Sequence, residues 1–113
     1  MERKKINIYT KLDNNEENYE IIAIKNNNVI KYIDLSNNIM VLDMNFDILK
    51  RENNDYCFTI NFKKNEISIF SKKLKKEFIK SIKTLTLTKN KKSYLVRYII
   101  DEEEIINEYY VKF

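Results

Sequence analysis

The side chains with the clearest chemical potential are four tyrosines and an arginine near the end of the chain. Tyr94, Tyr98, Tyr109 and Tyr110 fall on two alternating stretches, and Arg97 stands between the first two tyrosines. Inside a β-barrel, an arginine and one or two tyrosine hydroxyls can hold an anionic head group such as a carboxylate. Arg97, Tyr94, Tyr98 and Tyr109 are therefore candidate ligand-binding residues.

The orientation of Arg97 decides between two readings of this stretch. If Leu95, Arg97 and Ile99 face the interior, the guanidinium lies inside the protein. The opposite face is formed by Tyr94, Val96, Tyr98 and Ile100. This second face is more apolar, which favours a packing role for the tyrosines and leaves Arg97 in solvent.

A second candidate site is a basic strip, defined as residues 72–92. It contains nine lysines and one acid, a local charge of +8 in a chain of net charge +4, so the other residues sum to −4. Such a strip can bind a polyanion or an acidic protein. Lysines on an edge strand also prevent aggregation without any ligand. The polyanion-binding candidates are Lys72, Lys73, Lys75, Lys76, Lys80 and Lys83.

Composition argues against catalysis and against a metal centre. The chain contains no histidine, no glycine and no proline, which removes the usual general base and the usual phosphate-binding loop. Cys57 is the single cysteine and has no partner for a disulfide or a metal site. The contiguous acids 101–104 are typical of a solvated hairpin turn. We expect a non-catalytic protein without a cofactor or a metal.

Alternation of apolar and polar residues predicts β-strands along nearly the whole chain. The run from Tyr56 to Ser71 shows this best, because two alternating stretches flank the polar break Lys63-Lys64-Asn65. Asparagine clusters separate the runs, and asparagine tolerates the positive φ angles that turns need in a chain without glycine. The predicted strands are Lys5–Leu12, Tyr19–Lys25, Val29–Leu35, Ile39–Met44, Ile48–Glu52, the two strands of Tyr56–Ser71, Ser81–Lys89, Ser93–Asp101 and Ile105–Phe113.

One segment admits two structures. Leu74, Phe78, Ile82 and Leu85 recur at helical spacing, so a short helix within residues 72–83 is an alternative to a strand. The alternating Thr84–Thr88 run beyond it is extended.

These elements predict a single all-β domain over residues 1–113. Short strands joined by short links indicate an antiparallel meander barrel of about 8–10 strands. The sequence has no apolar run long enough to span a membrane as a helix and no signal peptide at its start, so a cytoplasmic location is expected.

The order of elements resembles the YwiB-like family of small, uncharacterised bacterial proteins with a calycin-type, lipocalin-like β-barrel. Members have an Arg-Ser-Gly step, a strand ending in Phe, a strand ending Tyr-x-Thr-Pro-Phe-Gly, a Leu/Thr strand and a closing hairpin. The corresponding positions here are Arg51, Phe62, Phe70-Ser71, Thr84–Thr88 and Tyr94–Phe113. Glu52-Asn53 replaces Ser-Gly, and Lys72-Lys73-Leu74 replaces Pro-Phe-Gly.

The resemblance implies a calycin-like barrel and no functional site, since the family has no assigned activity. Arg51 is a further candidate ligand-binding residue. Two functions are expected from the sequence. The first is binding of a small apolar or amphipathic ligand inside the barrel. The alternative is a partner-binding protein that docks an acidic protein or a nucleic acid through the basic strip.

Overall fold

The computed structural model describes residues 1–113 and consists of β-strands and turns, without a helix. No segment is therefore a helix long and apolar enough to cross a membrane. The ten strands are β1 (Glu2–Leu12), β2 (Asn15–Asn26), β3 (Val29–Ile33), β4 (Ile39–Asp43), β5 (Ile48–Glu52), β6 (Tyr56–Asn61), β7 (Glu66–Ser71), β8 (Lys76–Lys89), β9 (Ser93–Ile100) and β10 (Asn107–Lys112).

Each strand pairs antiparallel with its neighbour in the sequence, and β1 pairs with β10 to close the ring. The closing ladder runs from Asn7 opposite Lys112 to Lys11 opposite Glu108. The structure thus confirms the predicted closed antiparallel meander barrel. A barrel of about eight strands is just filled by its own side chains, so ten strands leave more interior space.

The alternation of each strand sets the inward face. In β1, for example, Ile6 and Ile8 are buried, whereas Asn7 between them is exposed. The core comprises 18 buried residues from all ten strands or the turns that follow them: Ile6, Ile8, Ala23, Ile30, Tyr32, Met40, Leu42, Met44, Leu49, Ile60, Phe62, Ile67, Ile82, Tyr94, Val96, Tyr98, Tyr109 and Val111. Burial of this set is the main favourable term for folding.

Asparagine and aspartate supply most of the turn geometry that glycine would otherwise provide. The β1–β2 hairpin has a two-residue turn in which Asp13 and Asn14 have φ angles of 50° and 70°. Two consecutive positive φ angles define the type I′ turn, whose twist matches paired strands. The predicted turn, residues 13–18, was too long, because residues 15–18 already belong to β2. Asn27, Asn37 and Asn65 have positive φ angles in other turns.

Other asparagines act through their side chains. The Oδ1 atom of Asn53 accepts hydrogen bonds from the amides of Asp55 and Tyr56, both at 2.9 Å. Asn90 Oδ1 accepts in the same way from Lys92 at 2.7 Å and from Ser93 at 3.0 Å. Such Asx turns satisfy amides that have no partner in a strand.

The structure corrects the helix alternative within residues 72–83. Residues 72–75 form a turn, and Lys76 begins β8, which pairs with β7 so that Phe78 lies opposite Ile69. Leu74, Phe78 and Leu85 are all exposed and form no common buried stripe. A short helix here would lack a core to pack on and would leave the backbone of β7 without a partner.

An irregularity within β8 changes which residues face inward. The register with β9 shifts between Thr84 and Thr86, and Leu85 between them is exposed. Before this β-bulge, the inward residue is Ile82; after it, Leu87 packs on the core. The extra residue therefore reverses the alternation in the last part of β8, and Lys89 lies on the same face as Leu87, half-exposed at the end of the barrel.

We predict that Lys75→Gly stabilises the protein. Lys75 has a φ angle of 53°, a region in which a residue with a Cβ atom is strained and glycine is not. The expected gain is about 1 kcal/mol, or an increase in Tm of about 4 °C. Lys76→Gly, which removes the same charge from a strand position, should lower Tm in the same thermal unfolding measurement. Equal effects of the two substitutions would contradict this account.

Candidate functional site

A cavity opens at the end of the barrel that carries the β1–β2, β3–β4, β5–β6, β7–β8 and β9–β10 turns. Its volume is about 450 Å³, which lies within the range of small-molecule sites. Apolar side chains form most of its wall: Met40, Leu49, Phe58, Ile60, Ile67, Ile69 and Ile100 are among them. The wall also carries polar groups, among them Arg51, Tyr98 and Tyr109.

Arg51 is the cationic group that β5 places at this cavity. Leu49 and Arg51 share the inward face of the strand, and the guanidinium lies over the ring of Phe58 at 4.5 Å. None of the five ion pairs in the structure includes Arg51. Its position against an aromatic face, without a carboxylate partner, leaves its N–H groups available to an anion.

Tyr98 lies close enough to Arg51 for the guanidinium charge to act on the pKa of its hydroxyl. Its ring packs on Phe62 with the centroids 5.3 Å apart, and its side chain lines the cavity. Burial raises the pKa of Tyr98 to about 12, whereas the positive charge of Arg51 lowers this pKa and Asp13 raises it. Tyr98 is consequently a neutral hydrogen-bond donor at physiological pH, and it forms no hydrogen bond within the protein to a side chain or backbone group.

Tyr109 also lines the cavity and is paired with Tyr32. The two hydroxyl oxygens are 2.8 Å apart, and both side chains are buried. Burial is the first cause that raises the pKa of each hydroxyl. Tyr19, half-buried beside this pair, has its pKa raised to about 12, again mainly by burial. All of these phenols are neutral near pH 7 and offer both donor and acceptor atoms.

Asn107 is a polar residue of the cavity wall that the sequence analysis did not select. Its Oδ1 atom accepts a hydrogen bond from the Asp13 amide at 3.1 Å, which fixes the orientation of the side-chain amide. The Nδ2 atom is buried and has no hydrogen-bond partner. A buried donor without a partner costs about 1–3 kcal/mol. The sequence signal for Asn107 is its alternation with Tyr109 and Val111, which indicates the inward face of the strand.

The rim of the cavity has charges of both signs on different walls. Asp13 and Glu17 belong to the β1–β2 hairpin, while Arg51 and Lys80 lie on β5 and β8. Asp34, also at the rim, accepts hydrogen bonds from the Ser36 and Asn38 amides and from Asn38 Nδ2, so its carboxylate holds the β3–β4 turn.

The structure does not bring all the predicted ligand-binding residues together. Tyr98, Tyr109 and Arg51 line the cavity. Arg97 points outward, because the more apolar face of β9 is the buried one, and it pairs with Glu108 on the neighbouring strand. Tyr94 faces inward at the opposite end of the barrel and donates a hydrogen bond to Asp47.

The fold spreads the basic strip over both ends of the barrel. Lys72, Lys73 and Lys75 lie in the β7–β8 turn near the cavity mouth, whereas Lys89 and the turn after it lie at the other end of β8. Lys72 pairs with Glu52 at 2.7 Å. Lys76, Lys80 and Lys83 follow one another along β8. Residues 72–92 therefore extend from the cavity mouth, along β8, to the other end of the barrel.

The opposite end of the barrel is closed by a polar cluster around Asp47. This aspartate is 2% exposed and has a φ angle of 54°. Lys89 Nζ lies 3.1 and 3.3 Å from its two carboxylate oxygens and also donates to the Met44 carbonyl at 2.8 Å. The Tyr94 hydroxyl donates to Asp47 Oδ1 at 3.1 Å. Each oxygen of the buried carboxylate therefore has a donor.

Comparison with known proteins adds no relative of this chain: no protein-family model, no curated protein and no solved structure gives a significant match. The resemblance to the YwiB-like family, and the calycin-like label that it implies, stay predictions.

We predict that Asp47→Asn lowers the free energy of unfolding by about 1–3 kcal/mol, because the half-exposed ammonium of Lys89 loses its carboxylate while asparagine keeps the positive φ angle. Glu20→Gln is the matched control, since the Lys5–Glu20 pair is exposed and 3.5 Å apart, and should change stability by less than about 0.5 kcal/mol. Urea unfolding measures both. A loss at Glu20 as large as at Asp47 would contradict a special role for the cluster.

We also predict alkaline destabilisation that starts near pH 10. Burial raises the pKa of Tyr32, Tyr94, Tyr98 and Tyr109 above the ordinary value, so the unfolded chain loses these protons first. The contribution of these raised pKa values to the free energy of unfolding is complete below pH 10. Above pH 10 it falls by about 1.4 kcal/mol per pH unit for each such tyrosine. Tm measured from pH 8 to 11 should show a shallower fall in Tyr109→Phe. Ionisation of these tyrosines below pH 10 in the folded protein would contradict the prediction.

Proposed function

We propose that this protein is a non-catalytic barrel that binds a small amphipathic ligand in its interior, with the apolar part of the ligand inside and an anionic group at Arg51. The single observation that carries the proposal is the inward guanidinium of Arg51, which has no carboxylate partner at the mouth of a largely apolar cavity. An arginine without a counter-ion in a partly dehydrated site is costly unless an anion joins it.

The polar groups around Arg51 support an acceptor-rich head group. Tyr98 has an uncommitted hydroxyl, and its pKa keeps it protonated. The guanidinium and a neutral phenol are donors, and a carboxylate or sulfonate accepts from both. Deeper in the cavity, isoleucines from β6 and β7 offer apolar surface and no acceptor. The donors at Arg51 and Tyr98, set in a largely apolar wall, favour amphipathic ligands over uncharged, wholly apolar ones.

The proposal extends to a calycin-like, lipocalin-like protein of bacterial type, as the resemblance implies, and to a cytoplasmic location. Their support is the meander order, the open end of the barrel and the single cysteine, which suits a reducing compartment.

A second function is proposed for a different surface: docking of an acidic partner near the cavity mouth. Lys73, Lys75 and Lys76 are exposed there, and none of them takes part in an ion pair. Their shared chemistry suits an acidic protein or a nucleic acid.

We predict that Arg51→Leu selectively weakens binding of an anionic probe. Anilinonaphthalene sulfonate and phenylnaphthylamine share one ring system, and only the first carries a negative charge. Loss of a charge-assisted hydrogen bond should raise the dissociation constant of the sulfonate by at least about tenfold. The dissociation constant of the neutral probe should stay within about twofold of the wild-type value. Fluorescence titration measures both dissociation constants.

Arg97→Leu is the matched control, because it removes the same charge from the outer face of β9 and should leave both dissociation constants unchanged. If the wild-type protein binds neither probe, or if the two arginine variants behave alike, interior binding of an anionic amphiphile is wrong.

A further inference from the structure

The first six residues of β8 form an open sheet edge at the cavity mouth. Residues 76–81 pair with β7 on one side, but the β8–β9 ladder begins only at Ile82 opposite Ile100. All six residues are exposed, whereas Ile82 is buried. The barrel wall is therefore incomplete here, although the ring is closed elsewhere.

Two hydrogen bonds define which backbone groups point to the open side. The Ser81 carbonyl accepts from the Asp101 amide at 2.7 Å, so Ser81 faces β9. The Ile82 amide donates to the Asn65 carbonyl at 2.9 Å, so Ile82 faces the β7 side. Because these directions alternate along a strand, Glu77 and Ile79 present their N–H and C=O groups to the open side. No backbone partner is found for them there.

The side chains beside this edge are apolar on both faces of the sheet. Phe78, on the face that continues into the cavity, is 48% exposed, and Ile79, on the outer face, is 62% exposed. Phe70 on β7 lies one strand away, on the same outer face as Ile79, and is also exposed. An added strand would find backbone partners and apolar neighbours together, which is the requirement for strand addition.

The charges near this edge indicate which kind of added strand it favours. Residues 72–80 contain five lysines and one glutamate, a charge of +4 around the turn and the start of the edge, while the four acids 101–104 begin beside Ser81 at its other end. Two copies paired through this edge would bring these lysines together at strand spacing, so charge disfavours self-association. A segment rich in Asp and Glu would neutralise them instead. The Glu77 carboxylate does not oppose such a segment directly, because it is held towards β7 by a hydrogen bond from the Ser68 hydroxyl.

We propose that the open edge of β8, residues 76–81, accepts an extended acidic segment of a partner protein as an additional β-strand. This inference rests on the partner-docking function proposed above and specifies its mode. The backbone of Glu77 and Ile79 provides the hydrogen bonds, and the lysines of the β7–β8 turn together with Lys76 provide selectivity for acidic sequences.

The test uses an eight-residue peptide of alternating Glu and Val, blocked at both ends, and a Lys/Val peptide as its opposite in charge. Fluorescence anisotropy should show binding of the first peptide only. Hydrogen exchange in the complex should show new protection of the Glu77 and Ile79 amides. Binding without that protection overturns the edge-strand mode.

Paired variants separate the two parts of the proposal. Lys73→Glu/Lys76→Glu should weaken binding of the acidic peptide by about tenfold or more. Lys91→Glu/Lys92→Glu, the same charge change at the closed end, should change this affinity by less than about twofold. Ile79→Pro removes a backbone N–H on the open side and should weaken binding of the peptide as strongly as Lys73→Glu/Lys76→Glu does. Unchanged binding of phenylnaphthylamine, if wild type binds it, verifies that the variant is folded; its circular dichroism spectrum does so in either case.

The outcomes are distinguishable. Loss in Lys73→Glu/Lys76→Glu but not in Ile79→Pro leaves acidic docking in place and overturns strand addition. Equal loss in both lysine pairs overturns docking at the mouth. If single-stranded RNA displaces the peptide and Ile79→Pro does not affect either one, the surface is a polyanion site and the proposal is wrong. Dimer formation through the same edge, seen by analytical ultracentrifugation, would also overturn it.

Discussion

The pairing of the first strand with the last is the constraint on which the rest of this structure depends. The β1–β10 ladder converts a series of hairpins into a ring, so every strand has a hydrogen-bonded neighbour on both sides. A ring of ten strands encloses more space than inward side chains fill uniformly. The protein fills one end and leaves the other open, and both proposed sites lie at or near the open end.

The closed end depends on two local irregularities that act together. The β-bulge at Leu85 turns Lys89 inward, and the β4–β5 turn places Asp47 beneath it with a positive φ angle. A buried Asp47 carboxylate without a partner would be strongly unfavourable, and the half-exposed ammonium of Lys89 supplies that partner. Together they satisfy each other and close the floor of the barrel. The cavity mouth contrasts with this floor, since Arg51 has no such partner there.

Period-two alternation made the fold predictable from sequence. Runs such as Tyr56–Asn61 and Glu66–Ser71 have the same pattern in the chain and in the barrel, and the polar breaks between runs coincide with turns. Asparagine was correctly linked to positive φ at Asn14, Asn27, Asn37 and Asn65. At Asn53 and Asn90, however, the side chain and not the φ angle shapes the turn, and residue type alone does not distinguish these roles.

The site was harder to predict, because alternation defines two faces without saying which is inside. For β9 the more apolar face was buried, so Arg97 faces solvent. The same comparison applied to β5 would have found the site: Leu49 and Arg51 oppose Lys50 and Glu52, so the face with less charge carries Arg51 inward. The bulge at Leu85 left no clear signal, because Thr84–Thr88 alternates perfectly in sequence. The open edge of β8 depends on where β9 ends in space, which lies beyond any local pattern.

A high-resolution crystal structure tests the central claim most directly, through the electron density inside the barrel. Our account predicts a cavity of about 450 Å³ beneath the open end, with the Arg51 guanidinium on Phe58 and no protein carboxylate bound to it. Density showing the interior filled by collapsed side chains, or Arg51 paired with Asp13 or Glu17, would contradict it.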